Sequence, residues 1–331
     1  MENQKNRKAI RSAAGAVCEE EMIMAQKLLT SAHLLEIFMP YRSDEARMID
    51  VLHKAVALDF YRGVELGIFF DKTNRKEVRR VLEENHLNGT TFATPYVKDQ
   101  KLGLSDLDEG KRRKAVDLVK ELANYAADTG YTNFGVPSGD DPGPVFRGLA
   151  KNVLAESMVE IANHCKTLGL NLTLEPLDRY VFKKQLIGPI EESMVWFAPI
   201  HEECPNAYIH WDSAHEALGG MDLMKSLEVT APFLAQFHLC NAIVDPSHPC
   251  FGDLHMDVGE GPDFETEGFL TPALGAEILK KAASYDKPAG VKDTYVSVEV
   301  LGHPGDNLWL KERNAREFLA KCFELAGMSI K

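Results

Sequence analysis

The sequence has no long apolar run. No segment approaches the roughly 20 consecutive apolar residues that a membrane-spanning helix requires. The first residues, MENQKNRKAIRSAAGAVCEEE, lead into acidic residues and not into the apolar core of a secretory signal. The six cysteines show no CxxC spacing and are too sparse for a disulfide scaffold. We therefore expect a cytoplasmic protein whose cysteines are free thiols.

The chain also has few basic residues relative to acidic ones. The chain has 37 lysines and arginines against 50 aspartates and glutamates, which gives a formal net charge of -13. A field of this sign repels phosphate backbones, so we expect no nucleic-acid partner, and a neutral or cationic small substrate fits better. With 331 residues and no convincing linker, the chain is long enough to bury one large core.

Short apolar and β-branched runs alternate with longer stretches of helical period. This is the pattern of parallel βα units. Eight such units predict a single α/β domain, a (β/α)8 TIM barrel, whose catalytic groups lie at the carboxyl ends of the strands. The eight runs are LLEIFM (34–39), GVELGIF (63–69), GTTFAT (89–94), YTNFGV (131–136), LNLTLE (170–175), AYIHWD (207–212), LAQFHL (234–239) and TYVSVEV (294–300).

Two regions exceed what a barrel needs. Residues 1–30 include an amphipathic stretch, CEEEMIMAQKLL, and are predicted to form an N-terminal helical extension, with the barrel occupying 31–331. The segment from Cys240 to about Phe269, after the seventh predicted strand, is too long for an ordinary βα loop. Loops of that length in compact domains tend to be lids or binding elements.

Four of the later predicted strands carry acidic or imidazole groups at or near their ends. Three carboxylates and one imidazole form a hard site that suits Mn²⁺, Mg²⁺, Co²⁺ or Zn²⁺, and Mn²⁺ is the preferred candidate. The four residues are Glu175, Asp212, His238 and Glu299.

Each of these residues also has a simpler interpretation when it is taken alone. A strand-end aspartate such as Asp212 is most often a helix cap or a turn former, and Glu299 could be a rim carboxylate in a salt bridge. Their occurrence together at consecutive strand ends favours the metal site. His215, three residues after Asp212, is either a solvated loop histidine or a hydrogen-bond donor to the substrate.

These motifs resemble, in matching order, those of the xylose-isomerase-like (β/α)8 superfamily. That superfamily holds sugar and sugar-phosphate isomerases and epimerases, inosose-processing enzymes and endonuclease IV. The resemblance covers about residues 30–326 and rests on Glu175, DSAH at 212–215, His238, GDLHMDVGEG at 252–261 and Glu299. Within the superfamily, EPLDR at 175–179 and the Asp-x-x-His pair at 212 and 215 are similar to the ketose 3-epimerases.

The resemblance implies roles for individual residues. Glu175, Asp212, His238 and Glu299 would hold one divalent metal ion. Glu175 and Glu299 would also be the catalytic acid/base pair, which deprotonates the substrate next to its carbonyl through a metal-stabilised enediolate. His215 and Arg179 would bind substrate oxygens. The sequence is thus expected to be that of a metal-dependent sugar isomerase or epimerase, and homo-oligomers are common in this superfamily.

Some positions depart from the ketose 3-epimerase pattern. Val181 and Val244 stand where those enzymes have a substrate-binding glutamate and arginine, so a free ketose need not be the substrate. Lys183 and Lys184 are interpreted as a solvated helix start, with contact to substrate oxygens or a phosphate as the alternative. Asp253 and His255 are candidate substrate-binding residues, or else a pair that orders the loop. Endonuclease IV needs further histidines near its second and third strands, which this chain lacks.

A second enzyme class stays open. Similar barrels form the large subunit of bacterial C-glycoside deglycosidases, which cleave a 3-oxo-glycoside in a lyase-type elimination. The same metal and carboxylates would serve, because the first step is again deprotonation beside a carbonyl. The long loop, the missing substrate contacts and the N-terminal extension leave room for a bulkier substrate or a small partner subunit.

Overall fold

The computed structural model describes residues 28–258 and 268–330, and within these ranges it is a closed parallel barrel. Eight strands form the ring, each hydrogen-bonded in parallel to its neighbours, and the sixth strand pairs with the seventh to close it. The predicted (β/α)8 fold is therefore confirmed. The strands in chain order are β1 Leu28–Ala32, β2 Gly63–Glu65, β3 Asn88–Phe92, β4 Asn133–Val136, β5 Asn171–Leu174, β6 Ala207–Asp212, β7 Leu234–Ile243, β8 Gly252–Met256 and β9 Thr294–Glu299, of which β8 lies outside the ring.

Helices between the strands cover the outside of the ring. Several begin at an aspartate whose carboxylate accepts backbone N–H groups of the first turn, as Asp44, Asp71 and Asp108 do. The helices are α1 Leu34–Ile37, α2 Glu45–Val56, α3 Lys72–Glu84, α4 Thr94–Asp99, α5 Glu109–Thr129, α6 Arg147–Thr167, α7 Ile190–Glu203, α8 Ser213–Leu218, α9 Leu223–Thr230, α10 Pro272–Ala283 and α11 Leu308–Ala326. In the described ranges, no helix is both long enough and apolar enough to cross a bilayer.

The first strand lies earlier in the chain than predicted. The run LLEIFM at 34–39 is not a strand: it forms the short helix α1 and part of a 3-10 turn at Met39–Tyr41. The strand is LLTSA, which pairs with β2 on one side and with β9 on the other. Residues 28–30, assigned by prediction to the N-terminal extension, therefore belong to the barrel, and the rest of that extension lies outside the described residues.

The long segment after the seventh strand contains regular structure. Strand β7 continues to Ile243, and β8 folds back along it in antiparallel pairing, with Asn241 opposite Met256. This hairpin returns residues 252–256 to the mouth of the barrel. Residues 259–267 of the predicted long loop lie outside the described ranges.

The buried side chains change character along the strands. Every residue of β6 and β7 is buried, including the large side chains of Trp211, Tyr208 and Phe237. At the carboxyl ends of the strands the buried side chains become ionisable, with His33, Glu65 and His238 among them. Burial of charged groups is costly unless they are paired or bind an ion, so this end of the barrel is the candidate site.

Candidate active site and metal centre

The four predicted ligand residues meet at the carboxyl end of the barrel. Glu175 directly follows β5, Asp212 ends β6, His238 lies in β7 and Glu299 ends β9. Strand register brings them together, because Asp212 pairs with His238 and Glu299 pairs with Cys240, two residues further along β7. One potential ligand atom from each of the four lies within 4.8 Å of the other three.

His238 is held by a carboxylate that the sequence analysis missed. Nε2 of His238 lies 2.7 Å from Oε2 of Glu65, at the end of β2 across the barrel. Burial alone would raise the pKa of Glu65, but the charges of His238 and His33 outweigh burial and lower it well below its ordinary value. An ionised Glu65 can only accept a hydrogen bond, so it holds a proton on Nε2 of His238 and makes Nδ1 the ring nitrogen that would bind a metal ion.

The two carboxylate oxygens of Asp212 have different surroundings. Its Oδ1 accepts the backbone N–H groups of Ala214 and His215, at 2.8 and 3.0 Å, and so caps α8. Its Oδ2 is buried and has no hydrogen-bond partner. Because one oxygen satisfies the helix, the other is left to face the ligand cluster.

The donor set fits a divalent cation. Oδ2 of Asp212 and Nδ1 of His238 are both buried without a hydrogen-bond partner, an arrangement that is costly unless something binds there. Three carboxylates and one imidazole match the preferences of Mn²⁺, Mg²⁺, Co²⁺ and Zn²⁺. The four residues could therefore hold such an ion.

The two candidate acid/base groups have opposite electrostatic environments. Burial and the charge of Glu299 raise the pKa of Glu175 to about 7. Burial would also raise the pKa of Glu299, but the charges of His255 and His238 lower it well below its ordinary value. Two neighbouring carboxylates that differ in this way suit an acid and a base.

A cavity of about 270 Å³ opens above this cluster. This volume is near the lower limit of ordinary small-molecule sites, roughly 300 Å³, and therefore favours a small substrate. The side chains that line it include His33, Glu36, Phe92, Lys98, Glu175, Lys183, His215, His238, His255 and Glu299.

His215 reaches the cavity from the first turn of α8 and is buried, so it is not a solvated loop residue. Its Nε2 lies 3.9 Å from Oε1 of Glu175 and 3.8 Å from Oδ2 of Asp253, while Nδ1 lies 3.7 Å from Asp178. Burial lowers the pKa of His215, but the charge of Asp253 and the nearby carboxylate of Asp178 raise it to about 9. A protonated His215 can donate to a substrate oxygen.

Asp253 and His255, on β8, contact each other and the site. Oδ2 of Asp253 lies 3.0 Å from Nε2 of His255 and 2.8 Å from Nζ of Lys183. His255 lines the cavity, whereas Asp253 lies behind it and joins the loop after β5 to the hairpin. The interpretation of Lys183 as a solvated lysine is thus wrong, since it is part of the cavity wall, whereas Lys184 is exposed.

The structure does not bring Arg179 to the cavity. Its guanidinium donates to Oε2 of Glu192 at 2.8 Å and to the carbonyl of Leu186 at 2.7 Å. Because these contacts turn the side chain toward α7, the expectation that Arg179 binds substrate oxygens does not fit this geometry.

Sequence reasoning missed several ionisable residues of the site besides Glu65. His33 and Glu36 follow β1, which was placed too late in the chain, and both line the cavity. His210 precedes Asp212 by two residues, and both of its ring nitrogens lack a hydrogen-bond partner. Side chains alternate between the two faces of a strand, so residues 210 and 212 of β6 point to the same side. This pattern could have identified His210 from the sequence.

Comparisons with known proteins agree with this architecture. A model of the family described as xylose isomerase-like TIM barrel matches residues 52–271. No curated protein matches the sequence. Three solved structures superpose at 13–15% identity, a level at which the likeness concerns the fold.

The first is D-psicose 3-epimerase with D-tagatose from Clostridium cellulolyticum H10, with TM-score 0.65 over 91% of this chain and 99% of that one. The second is 3-keto-D-glucoside 4-epimerase from E. coli in its apo form, with TM-score 0.61 over 90% and 99%. The third is the IOLI protein with a bound zinc atom, with TM-score 0.62 over 91% and 98%.

Proposed function

Because the chain belongs to the xylose isomerase-like TIM barrel family, we propose that it is a divalent-metal-dependent sugar isomerase or epimerase. The observation that carries the proposal is the convergence of Glu175, Asp212, His238 and Glu299 within 4.8 Å below a cavity of about 270 Å³. Two structural neighbours are described as sugar epimerases, which supports the same class of reaction.

The four converging residues would hold the ion, and Mn²⁺ is the preferred candidate, with Mg²⁺, Co²⁺ or Zn²⁺ as alternatives. Such an ion would stabilise the negative charge of the enediolate that forms when a proton is lost next to a carbonyl. Glu65 orients His238 within this set and fixes its tautomer through the 2.7 Å contact. We also propose a cytoplasmic protein and a homo-oligomer, in line with the free cysteines and with the family.

Glu175 and Glu299 would transfer the proton. They come from β5 and β9, which are separated in the ring by β6 and β7, and both line the cavity. A substrate held between them has one carboxylate on each face. One glutamate removes the proton next to the carbonyl, and the other returns a proton to the opposite face or to the neighbouring carbon.

The remaining polar side chains would orient the sugar. His215 and His255 line the cavity beside Glu175 and Glu299 respectively, and each is positioned from behind by Asp253. Lys183 adds a cation at the same wall, itself held by Asp253. These groups can donate to several substrate oxygens at once, which is what a polyhydroxylated substrate requires.

A second candidate is the lyase-type cleavage of a 3-oxo-glycoside, assisted by a small partner subunit. A specific observation favours it: apolar side chains are exposed next to cavity residues, with Phe182 preceding Lys183 and Leu254 preceding His255. Tyr180 and Val244 are exposed in the same loops. An apolar rim of this kind suits an aglycone or a partner protein better than it suits a free sugar.

Proton NMR in D₂O of protein loaded with Mn²⁺ or Mg²⁺ would test the two functions against each other. The substrates would be ketoses, inososes and 3-oxo-glucosides. Deuterium entry beside the carbonyl together with a new epimer or isomer is the expected result. Release of an aglycone from the 3-oxo-glycosides alone would favour the lyase, and no exchange with any substrate would contradict the isomerase.

A further inference from the structure

A second group of metal-ligand side chains lies beside the first. His33, Glu36 and Glu299 each offer a ligand atom within 4.8 Å of the other two. His255 joins this group from the hairpin, with Nδ1 at 3.5 Å from Oε2 of Glu36 and 3.4 Å from Oε1 of Glu299. None of these residues except Glu299 belongs to the cluster of Glu175, Asp212, His238 and Glu299.

Strand pairing explains why Glu36 and His33 lie close to Glu299. Strands β1 and β9 are neighbours in the ring, so residues that follow β1 lie against the end of β9. The amide of Gly302 donates to the carbonyl of Glu36 at 3.0 Å, and the amide of Leu301 donates to the carbonyl of His255 at 2.9 Å. The chain after Glu299 thus fixes the backbone of both Glu36 and His255.

The two oxygens of Glu299 face different clusters. Oε2 lies 3.3 Å from Nδ1 of His238, in the first cluster. Oε1 lies 3.4 Å from Nε2 of His33 and 3.4 Å from Nδ1 of His255, in the second. One carboxylate could therefore bind an ion on each side, as bridging carboxylates do in two-metal sites.

The spacing suits an ion better than direct hydrogen bonds. Separations of 3.4–3.5 Å exceed the usual nitrogen-to-oxygen hydrogen bond of roughly 2.7–3.2 Å. Donors that each lie about 2.1 Å from one ion are separated by about 3.0–3.5 Å in octahedral or tetrahedral geometry. In addition, Nδ1 of His255 is buried without a hydrogen-bond partner.

We propose that His33, Glu36 and Glu299 form a second divalent-cation site, beside His255, that shares Glu299 with the first. One imidazole and two carboxylates fit Mn²⁺, Co²⁺ or Zn²⁺. The cations are the same class as those expected at the first site, so the two sites fill in order of affinity as metal is added.

The second ion has a consequence for catalysis, and this part rests on the proposed function. Proton transfer by Glu299 needs one carboxylate oxygen that is not bound to metal. When the first site alone is filled, Oε1 is that oxygen. An ion in the second site would bind Oε1, which could then no longer accept the proton. Excess metal therefore inhibits the enzyme, with a loss of turnover of roughly 10²-fold, the usual contribution of a general acid or base.

The test is a titration of metal-free protein with Mn²⁺ alone, followed by equilibrium dialysis and electron paramagnetic resonance. Wild-type protein should bind two ions per chain, and the spectrum should change to that of a coupled pair as the second ion binds. Glu36→Gln should bind one ion and show no coupled spectrum. His33→Gln should do the same, which guards against a folding defect in one variant.

Asp99→Asn is the matched control, because Asp99 lines the same cavity but is paired with Arg42 at 3.0 Å and lies outside both clusters. It should keep two ions. Binding of only one ion by wild-type protein, or of two by Glu36→Gln, would overturn the second site. Two bound ions with no reaction at one equivalent would instead contradict the proposed function and leave the second site in place.

Discussion

Oε2 of Glu65 and Nε2 of His238 lie 2.7 Å apart across the barrel axis, although 173 residues separate them in the chain. Both side chains are fully buried, at 0% and 1% exposure. The pair sets the tautomer of the one imidazole in the first metal cluster. A residue outside the proposed ligand set thus decides which nitrogen of His238 faces that set.

Glu65→Gln should weaken Mn²⁺ binding at the first site. The glutamine can still fill the space, but it has no charge to hold the proton on Nε2 of His238. Loss of such a partner typically costs about 10–100-fold in metal affinity. Calorimetric titration of metal-free protein measures it, with Glu216→Gln as a matched buried control, since Glu216 contacts Ser226 and no ligand. Equal affinities for the two variants would show that Glu65 has no role in orienting His238.

Glu175→Gln and Glu299→Gln should each lower turnover by about 10²–10⁴-fold. Each glutamine keeps an oxygen that can bind the metal but cannot carry the proton. Turnover should be measured together with metal content, to separate lost chemistry from lost metal. Glu324→Gln, on the exposed face of α11, serves as the control. Near-normal turnover at full metal content would remove the substituted residue from the acid/base pair.

The rule that catalytic groups lie at the carboxyl ends of barrel strands identified the first cluster from the sequence but not the second. Asp212 ends its predicted strand and Glu299 is the last residue but one of its own, and the structure reproduces both strands almost residue for residue, so their position at the mouth followed directly. The sequence does not single out Glu65, because the predicted strand extends to residue 69, whereas β2 ends at Glu65 itself. With the shorter strand, the same rule would have identified it.

The first strand was misplaced for a different reason. LLEIFM is an unbroken apolar run, and periodicity cannot separate a buried strand from a buried helix in so short a segment. LLTSA contains Thr30 and Ser31, which made it look too polar, yet both are buried in the barrel. The error concealed His33 and Glu36, and with them the second cluster. The turn of Arg179 away from the cavity depends on Glu192, a contact that no local pattern in the sequence reveals.

Asp212→Asn and Asp212→Ala should both lose the tightly bound ion, but they should differ in stability. Asparagine can still cap α8 through its side-chain oxygen, whereas alanine removes the cap that Ala214 and His215 use. Loss of a cap costs about 1 kcal/mol. Denaturant unfolding of the metal-free proteins measures the difference, and metal analysis measures the lost ion. An Asp212→Ala protein that binds as many ions as the wild type would show that the proposed ligand set is wrong.

Glu216 should make the stability of the metal-free protein fall as the pH rises. Burial raises the pKa of Glu216 to about 8, and the hydroxyl of Ser226, which receives the indole N–H of Trp211, only partly offsets this. The folded protein therefore keeps this proton up to about pH 8, whereas the unfolded chain releases it near the ordinary pKa of 4.5.

Between these two values the unfolded state binds fewer protons, so the free energy of unfolding declines as the pH increases. Below pH 4.5 both states hold the proton and the contribution is constant. Glu216→Gln cannot ionise, so its stability relative to wild type should rise from about pH 5 to pH 8. Urea unfolding of both proteins across this range measures the change. Parallel pH profiles would mean that Glu216 is ionised in the folded protein, and that a cation or water reaches it there.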